Sequence, residues 1–304
     1  MFTASRRLTP VLIVVTAIST ASVERAVGAP LSVHDDLGRT RVFAKPPARI
    51  VSLAPGLTEA LFALGLDDAV VGVSDFCNFP PAALTKPRVG GVIPNVEAIV
   101  ALTPDLVVTT GGVAMRDFAA RMDRLGIPVL GFEADSIDAV FRRITLLGNL
   151  AARPERAAAV VSDLTRRLEA VAARRPDRQP RVLYLINEEP YMTVGPRSFL
   201  YDVILKAGGT PFDTGPTESY PRIGLEAIVR FDPEVIFFAD DSAQVMETRH
   251  KTWKRWDRIS AVRHGRLYGI PRDFINRPGP RIVDAVEYLA DKLHEQHEES
   301  RPVR

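Results

Sequence analysis

Glu97 and Glu226 stand in nearly the same phrase of sequence. Residues 95–108 read NVEAIVALTPDLVV and residues 223–237 read IGLEAIVRFDPEVIF, sharing Glu-Ala-Ile-Val, a proline seven residues after each glutamate, an acid and an apolar run. A carboxylate in the first turn of a short helix is favoured by the helix dipole. Pro104 or Pro233 then stops the helix, and the apolar run reads as a buried strand. Two carboxylates placed alike are open to charge pairing, or serve only as helix-start charges worth under about 1 kcal/mol each. The copies lie much too far apart for a solenoid repeat, so each belongs to its own lobe. Two lobes enclose a cleft, and clefts bind ligands.

No catalytic constellation emerges from the other reactive residue types. Ser52, in Val51-Ser52-Leu53, sits at a strand-to-helix turn but lacks the flanking glycines of a nucleophile elbow. No phosphate-cradling loop or GxGxxG fingerprint follows the first strand. His34, His250, His264, His294 and His297 are scattered, and Cys77 is the only cysteine, so neither a metal set nor a catalytic residue is assigned. Cys77 reads as a buried, inert thiol. An exported hydrolase using the interlobe cleft is the remote alternative.

Composition narrows the class. The chain has 304 residues, 46% hydrophobic and 25% charged, enough for two cores of common size. A net charge of +2 with dispersed Lys and Arg argues against a nucleic-acid partner. Arg6 and Arg7, the apolar stretch Leu8–Ile18 and small residues through Ala29 follow the order of a secretory signal, assigned to residues 1–29. That stretch is too short to span a bilayer core of roughly 30 Å. The expectation is an exported, periplasmic monomer, without disulfides, stabilised by its core alone.

The elements that must position these residues alternate. Leu31–Val33 and Thr40–Phe43 read as a hairpin. Ile50–Leu53, Val70–Val73, Leu106–Thr109 and Val129–Phe132 read as strands, with helices over Thr58–Leu64 and Phe118–Leu125 closed by Gly65 and Gly126. From Ser136 to Arg175 an apolar helical stripe runs with one break at Pro154, and reads as a rigid rod. Strand 181–185, helix 199–206, the second copy of the repeated phrase, strand 266–270 and helix 281–294 then rebuild the first half. The predicted fold is α/β: two similar lobes with mainly parallel sheets, joined by a long rigid helix, with the ligand cleft between them. The predicted bounds are 49–135 for the N-terminal lobe, 136–175 for the interlobe helix and 180–298 for the C-terminal lobe.

Four segments in order carry a resemblance: RIVSLAPGLTEALFALG, VGVSDFCNFPPAA, PRVGG-x₄-VEAIVALTPDLVV and INRPGPRIVDAVEYLA. Together they resemble the periplasmic substrate-binding proteins of ATP-driven importers for cobalamin, haem and iron-siderophores, most of all the cobalamin-binding branch. The resemblance implies a receptor, not an enzyme, that delivers cobalamin or a related corrinoid to a membrane permease with its ATPase. Haem or a ferric siderophore is the alternative ligand. No resident cofactor is implied. It also implies that Glu97 and Glu226 pair with arginines of the permease.

Open parallel sheets bind ligands at the carboxyl ends of their strands. Loops there hold Asp75, Phe76, Asn78, Phe79 and Val92 in the first lobe, and Tyr191, Tyr220, Asp273, Phe274 and Arg277 in the second. By resemblance, Phe76, Tyr191, Tyr220 and Phe274 face a corrin and Arg277 reaches its polar rim. Val92 stands where a cobalamin binder can present an aromatic, which thins one wall. Tyrosine hydroxyls can ligate haem iron, which keeps haem open as a ligand.

Overall fold

The computed structural model describes residues 30–175 and 177–295; the expected signal segment and His297 lie outside them. An antiparallel hairpin, β1 (Leu31–His34) and β2 (Thr40–Phe43), comes first. The first lobe follows with β3 (Ile50–Ser52), α1 (Pro55–Ala63), β4 (Val70–Val73), α2 (Val96–Ala101), β5 (Leu106–Thr110), α3 (Val113–Arg124) and β6 (Val129–Phe132). Next come α4 (Ile137–Leu150) and α5 (Pro154–Ala173). The second lobe opens with β7 (Arg181–Leu185), β8 (Asn187–Glu188), β9 (Tyr191–Met192), α6 (Phe199–Lys206), β10 (Thr210–Pro211), α7 (Leu225–Phe231) and β11 (Val235–Phe238). It ends with α8 (Ala243–Trp253), α9 (Ser260–Arg263), β12 (Leu267–Gly269), α10 (Arg272–Ile275) and α11 (Ile282–His294).

Both lobes have one plan. The first sheet runs β4-β3-β5-β6 and the second β10-β7-β11-β12, every pairing parallel. The repeated phrase explains much of this. Thr103 and Asp232 adopt left-handed backbone at φ 45° and 48°, just before Pro104 and Pro233. Arg49 Nε donates to the carbonyls of Leu102 and Thr103 at 3.2 and 3.1 Å, and Arg181 Nε to those of Phe231 and Asp232 at 2.9 and 2.8 Å. Each arginine thus satisfies orphan carbonyls at the end of α2 or α7. The acid after each proline closes the circuit. Asp105 accepts the Arg49 amide at 2.9 Å, and Glu234 accepts the Arg181 amide at 3.0 Å.

Strand alternation divides the side chains between two layers. Val51, Val107 and Val129 face an outer cluster with Ile99, Phe118 and Met122. Leu183, Leu185, Ile236 and Phe238 do the same in the second lobe, with Ile228, Trp253 and Ile259. The opposite faces meet in one continuous core: Ile50, Leu106 and Leu130 share it with Val182, Tyr184 and Phe237 through α1, α4, α5, α6 and α11.

The segment 136–175 is not the single rod expected from the sequence: α4 and α5 meet at a sharp turn and pack on each other. Ser136 Oγ accepts the Ala139 amide at 3.2 Å, and Asp202 of α6 accepts that of Ile137 at 2.8 Å, so both lobes cap α4. Ala152 takes a left-handed φ of 55° and Pro154 begins α5, where its missing N–H costs nothing. Gly148 of α4 touches Ala157 of α5, leaving no room for a side chain. The 20-residue α5 is the long connecting helix. Its Arg167 binds Asp284 and Glu287 of α11.

Some boundaries differ from the sequence reading. Helix α1 begins at Pro55 rather than Thr58, since proline is pre-set for the first helical position. The β8–β9 hairpin and α8 had no clear sequence signal: two-residue strands are too short for alternation, and α8 buries only Trp253.

Candidate functional site

At the junction of the lobes α1 and the loop 74–80, which follow β3 and β4, meet the segment 272–281, which follows β12. Asn78 donates to Asp273 Oδ2 at 2.9 Å, and Arg277 binds Asp273 Oδ1 at 2.6 Å while its other guanidinium nitrogen donates to Asn78 Oδ1. The three predicted polar site residues therefore close a triangle between the lobes. Arg277 keeps only 13% of its side chain exposed.

Below them lies a second contact. Arg281 grips Glu59 of α1 with both ends of its guanidinium, at 3.0 and 2.6 Å. It also lies 4.0 Å from the ring centre of Phe79 and 5.7 Å from that of Phe274, between an aromatic of each lobe. Glu59 is 3% exposed; burial pushes its carboxyl up, the Arg281 hydrogen bonds and charge pull it down, and the net direction is up. Arg143 of α4, almost wholly buried, donates to the Pro278 carbonyl. Burial lowers its guanidinium to about 10. Glycine is required at Gly56: a Cβ there would fall on the Pro278 carbonyl.

The remaining predicted residues are distributed as follows. Phe76 is half exposed, its ring over Gly91, and Val92 is 80% exposed on the loop between Gly90 and Pro94. Tyr220 is exposed at 44%, although burial of its hydroxyl pushes its pKa up. Tyr191 is half-buried and meets Trp253 edge-on at 5.9 Å. Phe274 is half-buried on α10. Phe76 thus comes from the first lobe, and Tyr191, Tyr220 and Phe274 from the second. Cys77 is buried, its sulfur 3.1 Å from Thr58 Oγ1 and 3.2 Å from Ser74 Oγ. Sequence reasoning missed Glu59, Arg143, Arg281, Glu188 and Arg249. A lone acid inside the apolar stretch Leu57–Leu64 was the available signal for Glu59.

Glu97 and Glu226 occupy the first turns of α2 and α7, at equivalent places in the two lobes. Both are exposed. Glu97 has Arg121 at 3.3 Å, whereas Glu226 forms no ion pair among the described residues.

A periplasmic binding protein family model matches residues 50–274 of this chain. The chain belongs to that family. A cobalamin-binding protein of Halobacterium salinarum is 32% identical over 289 residues, covering 90% of this chain and 77% of that one. The crystal structure of the periplasmic vitamin B12 binding protein BtuF of Vibrio cholerae superposes with a TM-score of 0.72 at 31% identity, covering 83% of this chain and 99% of that one. The periplasmic heme-binding protein BhuT, in complex with two hemes, superposes with a TM-score of 0.71 at 26% identity over 81% and 97%. As a member, this chain has the architecture of a substrate-binding protein of ABC importers, with its candidate site between the lobes.

Proposed function

We propose that this protein is an exported, periplasmic, monomeric receptor that binds cobalamin or a related corrinoid between its lobes and delivers it to the permease of an ABC-type importer. Phe76, Val92, Tyr191, Tyr220 and Phe274 supply apolar surface for the macrocycle, and Asn78, Asp273 and Arg277 its polar contacts. Glu97 and Glu226 dock the permease. Around the repeated phrase the structural duties fall to Asp105 and Glu234, with Arg49 just before β3 and Arg181 at the start of β7. That leaves Glu226 without an ion pair among the described residues and Glu97 exposed beside Arg121.

The observation that carries the corrinoid reading is charge balance. Arg249, Arg272, Arg277 and Arg281 are paired with Glu188, Asp240, Asp273 and Glu59 at 2.7, 2.8, 2.6 and 2.6 Å. Haem carries two propionates, which favour unpaired cations; a corrin rim of carboxamides asks only for hydrogen bonds. The second reading, a haem or ferric-siderophore receptor, draws support from Tyr191 and from Arg222, exposed beside Tyr220.

Colour tests this directly. The purified chain is mixed separately with cyanocobalamin, haemin or a ferric siderophore and passed through a desalting column. Retained cyanocobalamin, seen by its visible absorption, is the expected result. Retention of haemin or the siderophore alone selects the second reading. Retention of none, with a positive hydrolase screen, replaces the receptor with an exported enzyme.

A further inference from the structure

The second lobe contains a pocket that the shared plan does not require. In the first lobe, β3 passes almost directly into α1; in the second, the β8–β9 hairpin intervenes between β7 and α6. Hairpin, α8 and α10 line an open pocket of about 840 Å³ whose lining residues all belong to this lobe. Ile186 and Ala239, immediately after β7 and β11, form part of its wall, so it opens at the carboxyl ends of the strands. Asn276, also in the wall, is the neighbour of Arg277, so the pocket adjoins the interlobe site.

Its chemistry is two-sided. Gln244, Thr248, Arg249 and Thr252 reach it from one face of α8. Glu188 is held by Arg249 Nε at 2.7 Å and by Trp253 Nε1 at 3.1 Å, and Arg249 lies 4.6 Å from the ring centre of Phe238. Glu188 and Arg249 cancel in charge; of the other charged lining residues, Arg272 is paired with Asp240 at 2.8 Å, and Glu189 and Arg255 add one charge of each sign. Arg249 Nη2 has no hydrogen-bond partner among the described residues, and Thr248, which donates to the Gln244 carbonyl at 3.0 Å, keeps its acceptor lone pairs. A matching group must accept from a guanidinium, donate to a hydroxyl or carboxylate, and carry no charge. A carboxamide does all three; a carboxylate can accept from Arg249 but cannot donate, and it meets Glu188 as a like charge.

The geometry points to this pocket as a subsite for a carboxamide-bearing side arm of the transported molecule, selecting amide over acid. The inference rests on the corrinoid reading and names the part of the ligand that the second lobe inspects. Trp253 and Tyr191, in edge contact beside Glu188, fix one wall and hold the selecting groups in place.

The test compares cyanocobalamin with its monocarboxylic derivatives, in which single peripheral carboxamides are hydrolysed, by titration calorimetry on the purified chain. The wild-type chain should bind at least one of these acids about tenfold or more weakly than the amide. Glu188→Gln removes the repelling charge and should narrow that ratio, while Thr248→Trp, filling the pocket from α8, should weaken cyanocobalamin itself. Melting temperatures near wild type establish that both variants fold; should either fail to fold, Thr248→Val, which removes the hydroxyl at nearly constant shape, should also narrow the ratio. Equal affinity of wild type for amide and acids, or unchanged cyanocobalamin affinity in folded Thr248→Trp, overturns the subsite and leaves the corrinoid reading standing. Failure of wild type to bind any corrinoid overturns both.

Discussion

At the scale of single residues, the Glu59–Arg281 pair is the most exacting arrangement in the molecule. A buried carboxylate is tolerated only while its partner stays in place. Arg281→Ala should therefore cost about 3–5 kcal/mol at neutral pH, read as a lower midpoint in urea. The pH dependence fixes the sign. Burial raises the folded Glu59 carboxyl above its ordinary 4.5, with Arg281 opposing, so the native state holds the proton to higher pH than the unfolded chain does. The stability gained from that proton is present below 4.5 and is lost as pH rises through the folded value. Without Arg281 the carboxyl rises further, so the deficit of Arg281→Ala should shrink as pH falls toward 4.5. A deficit that is the same in mildly alkaline and mildly acidic buffer would show that Arg281 acts through its stacking on Phe79 and Phe274 rather than through its charge.

At the scale of elements, the first turn of α1 is the point where the lobes touch at backbone distance. Gly56 lies against the Pro278 carbonyl, and a Cβ on Gly279 would come 2.8 Å from the Gly56 Cα. Arg143 holds the same carbonyl from α4. The turn bearing Arg277 is thus set by Gly56 of the first lobe on one side and Arg143 of α4 on the other. Gly56→Ala should destabilise the fold by about 1–3 kcal/mol, the usual range for overpacking, and should weaken ligand binding by moving Arg277. Differential scanning calorimetry and a ligand titration measure the two effects separately. Unchanged values in both would mean that the lobes separate here without consequence.

At the scale of the whole molecule, the continuous core between the lobes argues for little movement on binding, because a wide hinge would have to open apolar surface along α5 and α11. In the proposed delivery to a permease, docking would then read the fixed spacing of the two lobes. The double variant Glu97→Ala with Glu226→Ala should sharply slow transport in reconstituted vesicles while leaving cobalamin affinity in solution intact. Of the two single variants, Glu226→Ala should have the larger effect, since Glu97 is already shared with Arg121 at 3.3 Å. Loss of one desolvated charge pair costs about 2–5 kcal/mol, and a rim pair far less. Normal transport by the double variant would reduce the repeated glutamates to helix-start charges.

The local elements and their duplication are written in short-range signals of the chain. Strands such as Val129–Phe132 are short apolar runs between turn signals, Gly65 and Gly126 mark helix ends by taking left-handed backbone at φ 70° and 74°, and the repeated phrase announces two lobes. Those signals are legible because they arise between residues a few positions apart. The loops that carry Phe76, Asn78 and Arg277 were legible too, since a parallel sheet places its binding loops at one end. The pairing across the cleft emerges only in the folded chain. Glu59 and Arg281 are 222 positions apart and Asn78 and Arg277 are 199 apart, and no local propensity distinguishes a paired arginine from a free one. Whether the cleft floor is basic or neutral, and so which ligand charge it suits, depends on those pairings alone.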